Sequence, residues 1–253
     1  MSRNALFIHG AFAGGHYFDW LTAPFAEQGW RCIAPHLRHH GPGVDAPPEL
    51  AATGLKEYLA DLEAVIDGLD EPPVIVGHSM GGLLAQMLAA RGRAAAAVLL
   101  APCAPWGVLP ASHTEVGAAY GLFHMGDFWN RVLYPDFDVA APLALDGLPP
   151  EAQQRAFAGF GPESGRALFQ TLCWGLDFTA ASAVDARRVE CPTLCLVGSE
   201  DKVVSPGTVR SIANRYRHVS TFEVIDGLSH YIGGEPAAAG LPNLMQSWLD
   251  EVL

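Results

Sequence analysis

The residues Gly77-His78-Ser79-Met80-Gly81 set one serine between two glycines. They follow the β-branched run 73–76 and precede the stretch 82–90, which is rich in strong helix formers. A G-x-S-x-G pattern between a strand and a helix predicts a sharp turn that lifts the serine hydroxyl clear of a sheet. The spacing therefore makes Ser79 a candidate nucleophile.

A serine hydroxyl needs a base to take its proton, and the chain offers ten histidines. His230 follows the last strand-like run and precedes the last helical stretch, so we predict that it is the base. His78 is adjacent to the serine in sequence, but neighbouring residues of a sharp turn point in different directions. We expect His78 to pack or to hydrogen bond near the site.

The imidazole in turn needs a carboxylate that orients it and stabilises its positive charge. Asp201 lies in a loop directly after a strand-like run, and we predict that it is this acid. Glu200 is its neighbour and is expected to project elsewhere, while Asp226 at another strand end fits a turn equally well. The order Ser79, Asp201, His230 is the one expected for a serine in this strand–turn–helix setting.

An attacked carbonyl also requires hydrogen-bond donors for its oxyanion. The backbone N–H of Met80, at the start of a helix, is one candidate. The other is expected in His9-Gly10-Ala11-Phe12, where the chain leaves the first strand-like run. We assign it to Ala11, with Phe12 as the alternative.

Strand-like and helical stretches alternate along the chain, which predicts a parallel sheet with helices on both faces. The predicted strands are Ala5–His9, Arg31–Ala34, Val74–Gly77, Ala96–Ala101, Thr193–Gly198 and Thr221–Ile225, and the helices lie at about 16–28, 53–69, 80–92, 206–217 and 237–252. His9, Ser79 and Asp201 all lie at or just after the end of a predicted strand. Open sheets of this type bind ligands at the carboxyl ends of their strands.

The alternation stops between residues 102 and 188, where half of the chain's aromatic residues occur among short helical pieces broken by Pro and Gly. We predict that 1–101 and 189–253 form the core domain and that 102–188 is a helical cap or lid inserted over the strand ends. Aromatic side chains of such a cap would line an apolar pocket. The pocket residues predicted from the sequence are Phe12, His78, Trp106, Phe128, Trp129 and Trp174.

Taken together, His9-Gly10, the Gly77–Gly81 turn, the Gly198–Asp201 loop and His230 resemble the α/β-hydrolase superfamily over nearly the whole chain. The stretch 34–41 is also similar to a Pro-Asp-x-Arg-Gly-x-Gly loop of that family, with His36 in place of Asp and His39 in place of Gly. The resemblance implies an α/β-hydrolase fold: a mostly parallel six-stranded sheet that lacks the family's two N-terminal strands.

The resemblance implies a serine hydrolase of the carboxylesterase type, because dehalogenases and epoxide hydrolases of this fold carry Asp at the position of Ser79. The cap predicts small to medium, largely apolar ester substrates. A thioesterase, lactonase, acyltransferase or carbon–carbon bond hydrolase would use the same three residues. Hydroxynitrile lyases are disfavoured, because Ala11 stands where they often carry threonine and the cap lacks lysine. A non-catalytic ligand-binding member of the fold is the alternative from another class.

The composition of the chain limits its expected partners, cellular compartment and cofactors. The 253 residues carry a formal charge of −12, which argues against nucleic acid or an anionic membrane surface as a partner. The five cysteines are odd in number and lie mostly in apolar contexts, as expected for free thiols in a reducing compartment. No cofactor is expected, and the neighbouring His36, His39 and His40 lack the acidic or thiol ligands of a metal site. We expect a cytoplasmic monomer or homodimer that acts on a small molecule.

Overall fold

A six-stranded parallel sheet forms the centre of the protein. The computed structural model describes residues 3–41 and 46–253. Its strands are β1 (Arg3–Ile8), β2 (Trp30–Ile33), β3 (Val74–His78), β4 (Ala96–Leu100), β5 (Val132–Leu133), β6 (Glu163–Ser164), β7 (Thr193–Gly198) and β8 (Ser220–Ile225). The strands of the main sheet lie in the order β2-β1-β3-β4-β7-β8, and β5 and β6 form a separate antiparallel pair. The predicted α/β-hydrolase sheet is thus confirmed. Its strand limits lie within one residue of the prediction, except that β1 begins two residues earlier, at Arg3.

Helices connect these strands and cover the sheet. They are α1 (Asp19–Glu27), α2 (Leu55–Asp67), α3 (Met80–Ala89), α4 (His113–Phe123), α5 (Phe137–Leu143), α6 (Pro150–Phe157), α7 (Gly165–Leu172), α8 (Pro206–Arg215) and α9 (Leu241–Val252). Every residue of α3 is buried, as its continuous apolar sequence requires. A buried α3 is a rigid support for the residue that precedes it, Ser79.

Two predicted helices are divided in the structure. The stretch predicted as 16–28 begins as a 3₁₀ turn, Gly15–Phe18, and becomes α-helical only at Asp19. Gly15 explains the tight entry, because a Cβ there would lie 2.1 Å from the carbonyl oxygen of Ala34. The stretch 237–252 is likewise divided, by a 3₁₀ turn at Pro236–Ala238 that precedes α9.

The segment between β4 and β7 contains α4 to α7 and the small β5–β6 pair. The sequence predicts helices here without strands, so the pair Val132↔Ser164 and Leu133↔Glu163 is a correction. Two-residue strands are too short to produce an alternating pattern that sequence analysis can detect. We call residues 102–188 the intervening segment.

Among the helices of residues 3–41 and 46–253, none combines the length and the apolar character needed to cross a membrane.

Candidate active site

Ser79 occupies the turn between β3 and α3 in a strained conformation, with φ 54° and ψ −119°. A non-glycine residue at such angles persists only where its surroundings enforce them. Here the Ser79 N–H donates to Leu100 O at 3.0 Å, and the Ser79 carbonyl accepts from Cys103 N–H at 2.9 Å. The end of β4 and the residues after it therefore hold the turn in place.

The glycines near Ser79 allow the backbones of β1, β3 and α3 to approach one another closely. A Cβ on Gly77 would lie 2.3 Å from Gly81 O, and one on Gly81 would lie 2.0 Å from Ile8 O. A Cβ on Gly10 would lie 2.9 Å from the Cβ of Ser79. These short distances explain why glycine stands at each of the three positions. They also show that the loop after β1 packs directly against Ser79.

Ser79, His230 and Asp201 form a connected chain of hydrogen bonds at the carboxyl ends of β3, β8 and β7. His230 Nδ1 lies 2.8 Å from Asp201 Oδ2, and His230 Nε2 lies 3.1 Å from Ser79 Oγ. With its proton on Nδ1, the ring donates to Asp201 and accepts from the serine hydroxyl. All three residues are buried. The arrangement suits removal of the Ser79 proton by His230.

Asp201 is oriented by its own loop. Its Oδ1 accepts hydrogen bonds from Val203 N–H at 2.8 Å and Val204 N–H at 2.7 Å, which leaves Oδ2 for His230. Glu200 is exposed and contacts Ser199, and Asp226 is exposed at the end of β8. The structure therefore brings Asp201 into contact with His230. It does not bring Glu200 or Asp226 into contact with that ring.

A second carboxylate, Glu235, supports the loop that carries His230. Glu235 is buried and accepts from Ser229 N–H at 2.8 Å, Ser229 Oγ–H at 2.5 Å and Ile232 N–H at 3.0 Å. Sequence analysis did not identify Glu235. The available signal was an acidic residue in the same short loop as the predicted base.

His78 and Tyr17 also contact the loop that carries His230. His78 Nε2 donates to the carbonyl oxygen of His230 at 2.8 Å, while its ring stacks on Tyr17 at 4.7 Å. The Tyr17 hydroxyl donates to the carbonyl of Tyr231. Burial, and then the proximity of His230, lowers the pKa of His78 well below its usual value, so it remains neutral. The structure thus places His78 next to His230, as a hydrogen-bonding residue.

The oxyanion donors predicted from the sequence have different environments. Phe12 N–H donates to Glu163 Oε2 at 3.3 Å, so it already has an acceptor. The N–H groups of Ala11 and Met80 have no acceptor in the part of the chain that the structure describes. Their availability favours Ala11 over Phe12 as the loop donor.

Cys103 is a second nucleophilic group close to the serine, with its Sγ 3.6 Å from Ser79 Oγ. Burial raises the pKa of this thiol to about 12. A thiol that stays protonated is a poor nucleophile. His230 hydrogen bonds to Ser79 and not to Cys103, so Ser79 is the better candidate nucleophile.

The predicted pocket residues separate into two groups. Phe12 and Trp129 are half-buried and pack at the edge of an apolar cluster around Phe128, Leu133, Leu168 and Cys173. Phe128 is fully buried in that cluster, so its ring offers no surface to a substrate. Trp106 and Trp174 contact each other edge-to-face at 5.9 Å, and Trp106 remains 46% exposed.

A cavity of about 260 Å³ lies beside α1, near the loop that carries His230. Aromatic side chains form much of its wall: Tyr17, Trp20, Phe160 and Tyr231. None of the six pocket residues predicted from the sequence lines it. Tyr231, which directly follows the predicted base in sequence, was the residue that could have pointed to this cavity.

Two of the three histidines in residues 36–40, His36 and His40, hydrogen bond to protein atoms. His36 Nδ1 accepts from Gly15 N–H at 3.1 Å, and His40 Nε2 lies 3.1 Å from Glu163 Oε2. His39 has a positive φ of 66°, at the position where the resembling loop has glycine. Within the described ranges, no group of three or more His, Cys, Asp or Glu side chains is arranged to hold a metal ion.

Comparison with known proteins places this geometry in a family. Residues 5–239 match the model of the alpha/beta hydrolase family. The chain is 28% identical over 211 residues to the sn-1-specific diacylglycerol lipase ABHD11 of Mus musculus, covering 79% of this chain and 66% of that protein. It is 27% identical over 252 residues to epoxide hydrolase 3 of Xenopus tropicalis, covering 90% of this chain and 66% of that protein.

The chain thus spans slightly less than two thirds of the length of these two relatives. A solved structure, the monoacylglycerol lipase of Paleococcus ferrophilus, superimposes with a TM-score of 0.74 at 21% identity, covering 99% of this chain and 95% of that one. This likeness shows a common fold. On the match to the family model, this chain belongs to the alpha/beta hydrolase family.

Proposed function

We propose that the protein is a serine hydrolase that cleaves carboxylic esters through an acyl-enzyme on Ser79. The observation that carries the proposal is the hydrogen-bonded chain from Asp201 through His230 to Ser79, on a strained turn. The names of the relatives, a lipase and an epoxide hydrolase among them, support hydrolytic chemistry. Epoxide hydrolases of this fold carry Asp at the nucleophile position, whereas this chain carries Ser79.

In the first half-reaction, Ser79 Oγ forms a bond to the ester carbon while its proton passes to His230 Nε2. The negative charge develops on the carbonyl oxygen, where the N–H groups of Ala11 and Met80 donate to it. His230 then gives the proton to the alkoxide oxygen as the carbon–oxygen bond breaks. The products are an alcohol and an acyl group on Ser79.

In the second half-reaction, His230 removes a proton from water, and the hydroxide oxygen bonds to the acyl carbon. The bond from carbon to Ser79 Oγ breaks, and the serine regains its proton from His230. Asp201 stays ionised throughout and stabilises the imidazolium in each step. The carboxylic acid leaves, and the starting state is restored.

The proposed substrates have small to medium, largely apolar acyl or aryl groups. In this proposal the intervening segment acts as a cap over the strand ends. The proposal is supported by its apolar side chains, including Trp129 and Phe169, which pack in the same cluster as Ala11 and Phe12 of the loop after β1. A thioester, a lactone or an acyl acceptor other than water would fit the same chemistry.

Intact-mass analysis after treatment with a fluorophosphonate tests the nucleophile without any assumption about the substrate. We expect one adduct on the wild type and none on Ser79→Ala. A panel of p-nitrophenyl esters and thioesters of increasing chain length then measures the substrate preference. If folded wild-type protein forms no adduct and turns over no ester, the non-catalytic ligand-binding alternative replaces this proposal.

A further inference from the structure

Glu163, at the start of β6, is a carboxylate buried completely in the protein. Each of its two carboxylate oxygens accepts two hydrogen bonds. Oε1 accepts from the Tyr58 hydroxyl at 2.7 Å and from Ser164 N–H at 2.6 Å. Oε2 accepts from His40 Nε2 at 3.1 Å and from Phe12 N–H at 3.3 Å. A residue of the intervening segment thus contacts the loop after β1 directly.

The groups around Glu163 favour its ionised form. Burial alone would raise the pKa of Glu163, but attraction to His40 and the hydrogen bonds from His40, Tyr58 and Ser164 lower it below its usual value. Burial opposes the charge on His40 as well, and the contact with Glu163 nevertheless raises its pKa. The two side chains, at most 1% exposed, therefore form a buried ion pair.

Two titratable neighbours of this pair, Tyr58 and His9, are uncharged. Burial raises the pKa of Tyr58, so its hydroxyl stays protonated and donates to Glu163. His9, whose ring lies 5.3 Å from that of His40, is kept neutral because burial, and then His40, lowers its pKa to about 3. A lone carboxylate near the oxyanion position would oppose the developing negative charge, and His40 offsets it.

Phe12 is the residue on which these contacts converge. Its φ of 62° is unfavourable for a residue that carries a Cβ, so outside contacts must hold it. Its N–H donates to Glu163, and its carbonyl accepts from Gly161 N–H at 2.8 Å. The stretch 161–163 therefore holds the backbone of Phe12 on both sides.

We propose that Glu163 is a positioning residue for the oxyanion loop: by holding the Phe12 N–H, it directs the preceding N–H, that of Ala11, toward the substrate oxygen. This inference rests on the proposed function. It also gives the intervening segment a part in the chemistry besides covering the site. Because the Ala11 donor is used only when negative charge develops, a misplaced loop lowers kcat and leaves KM nearly unchanged.

The test compares Glu163→Gln with Tyr58→Phe on a short-chain p-nitrophenyl ester. In the glutamine variant, the amide oxygen retains the Tyr58 and Ser164 donors, and the amide nitrogen faces the Phe12 N–H. The Phe12 N–H then has no acceptor. We expect kcat to fall about 10-fold or more, because small displacements of catalytic groups have effects of that order, with KM within about twofold.

Tyr58→Phe is the matched control, because it removes a hydrogen bond to the same carboxylate from the oxygen that does not contact Phe12. We expect it to keep kcat within about twofold of the wild type. The rate of fluorophosphonate labelling should follow kcat in both variants. Where Glu163→Gln melts below the assay temperature, Glu163→Asp takes its place: it keeps the charge, withdraws the oxygen from Phe12 and should lower kcat in the same way.

Wild-type kcat in a folded Glu163→Gln or Glu163→Asp protein overturns the positioning role alone. An equal loss of kcat in Tyr58→Phe also overturns it, because the effect would then be general weakening of the buried cluster. A wild-type protein that neither labels nor hydrolyses esters overturns the proposed function and this inference with it.

Discussion

At the scale of single residues, the two oxygens of Asp201 have separate tasks. Oδ1 accepts hydrogen bonds from two backbone N–H groups, and Oδ2 accepts a hydrogen bond from the Nδ1–H of His230. In Asp201→Asn the amide nitrogen would face His230 Nδ1, so the ring would carry its proton on Nε2 and could no longer accept from Ser79. We expect kcat to fall about 10⁴-fold, as loss of the correct tautomer does in serine triads.

Glu200→Gln is the control for that variant, since it removes an adjacent carboxylate that is exposed and does not contact His230. Its kcat should equal that of the wild type. Steady-state kinetics on one ester, with circular dichroism to verify folding, make the comparison. Equal losses in the two variants would mean that the loop's net charge matters and that the Asp201 contact does not.

Residues within a few positions of a strand end were predictable, and residues that arrive from distant segments were not. Ser79, Asp201 and His230 each follow a strand, so the parallel sheet brings them to one edge. Glu163 meets Phe12 across 151 positions of sequence, through a two-residue strand without a pattern of its own. Its burial depends on partners, His40 and Tyr58, that become neighbours only in the folded protein.

At the scale of elements, the turn between β3 and α3 depends on the absence of a side chain at Gly81. A Cβ there would lie 2.0 Å from Ile8 O, so Gly81→Ala must move α3 away from β1. We expect the free energy of unfolding to fall by about 3 kcal/mol or more, the upper end of overpacking in a core. Urea denaturation followed by circular dichroism measures the change.

Gly121→Ala is the matched control, because Gly121 lies within α4 and a Cβ there would meet nothing within 4 Å. Alanine in a helix is more stable than glycine by up to about 1 kcal/mol, so this variant should be slightly more stable than the wild type. A Gly81→Ala protein as stable as Gly121→Ala would contradict the proposed packing of the turn.

The helices and strands of the core were predictable because each presents a clear pattern. β3 and β7 are continuous apolar runs, and α3 is apolar on all sides, as elements buried on both faces must be. In α4, by contrast, no residue is buried although half of its positions are apolar. The pattern of α4 therefore does not reveal which face contacts the core, and sequence alone could not place it over particular strand ends.

At the scale of the whole molecule, four buried histidines lie together at the carboxyl edge of the sheet. Two have carboxylate partners: His40 contacts Glu163, and His230 contacts Asp201. The other two, His9 and His78, hydrogen bond within the described residues to backbone groups alone. A positive charge on either of these would be buried without a counterion, at a large cost in free energy.

This difference predicts how stability depends on pH. Burial lowers the pKa of His9 to about 3 and that of His78 well below its usual value, while both have a pKa of about 6.5 in the unfolded chain. As pH falls below about 6.5, the unfolded state binds these protons and the folded state does not, so the free energy of unfolding falls. Each histidine contributes about 1.4 kcal/mol per pH unit within this window, down to about pH 3 for His9.

Urea unfolding between pH 6 and pH 4 measures that slope, and His78→Gln isolates one histidine. His40 adds little to the slope over this range, because its pKa is raised in the folded protein and the unfolded chain already binds most of this proton below pH 6. We expect His78→Gln to lower the slope by about 1.4 kcal/mol per pH unit. His124→Gln should leave it unchanged, because His124 is exposed in the folded protein as in the unfolded chain. Equal slopes in His78→Gln and the wild type would show that the folded protein accepts a proton on His78, where Nδ1 has no partner among the described residues.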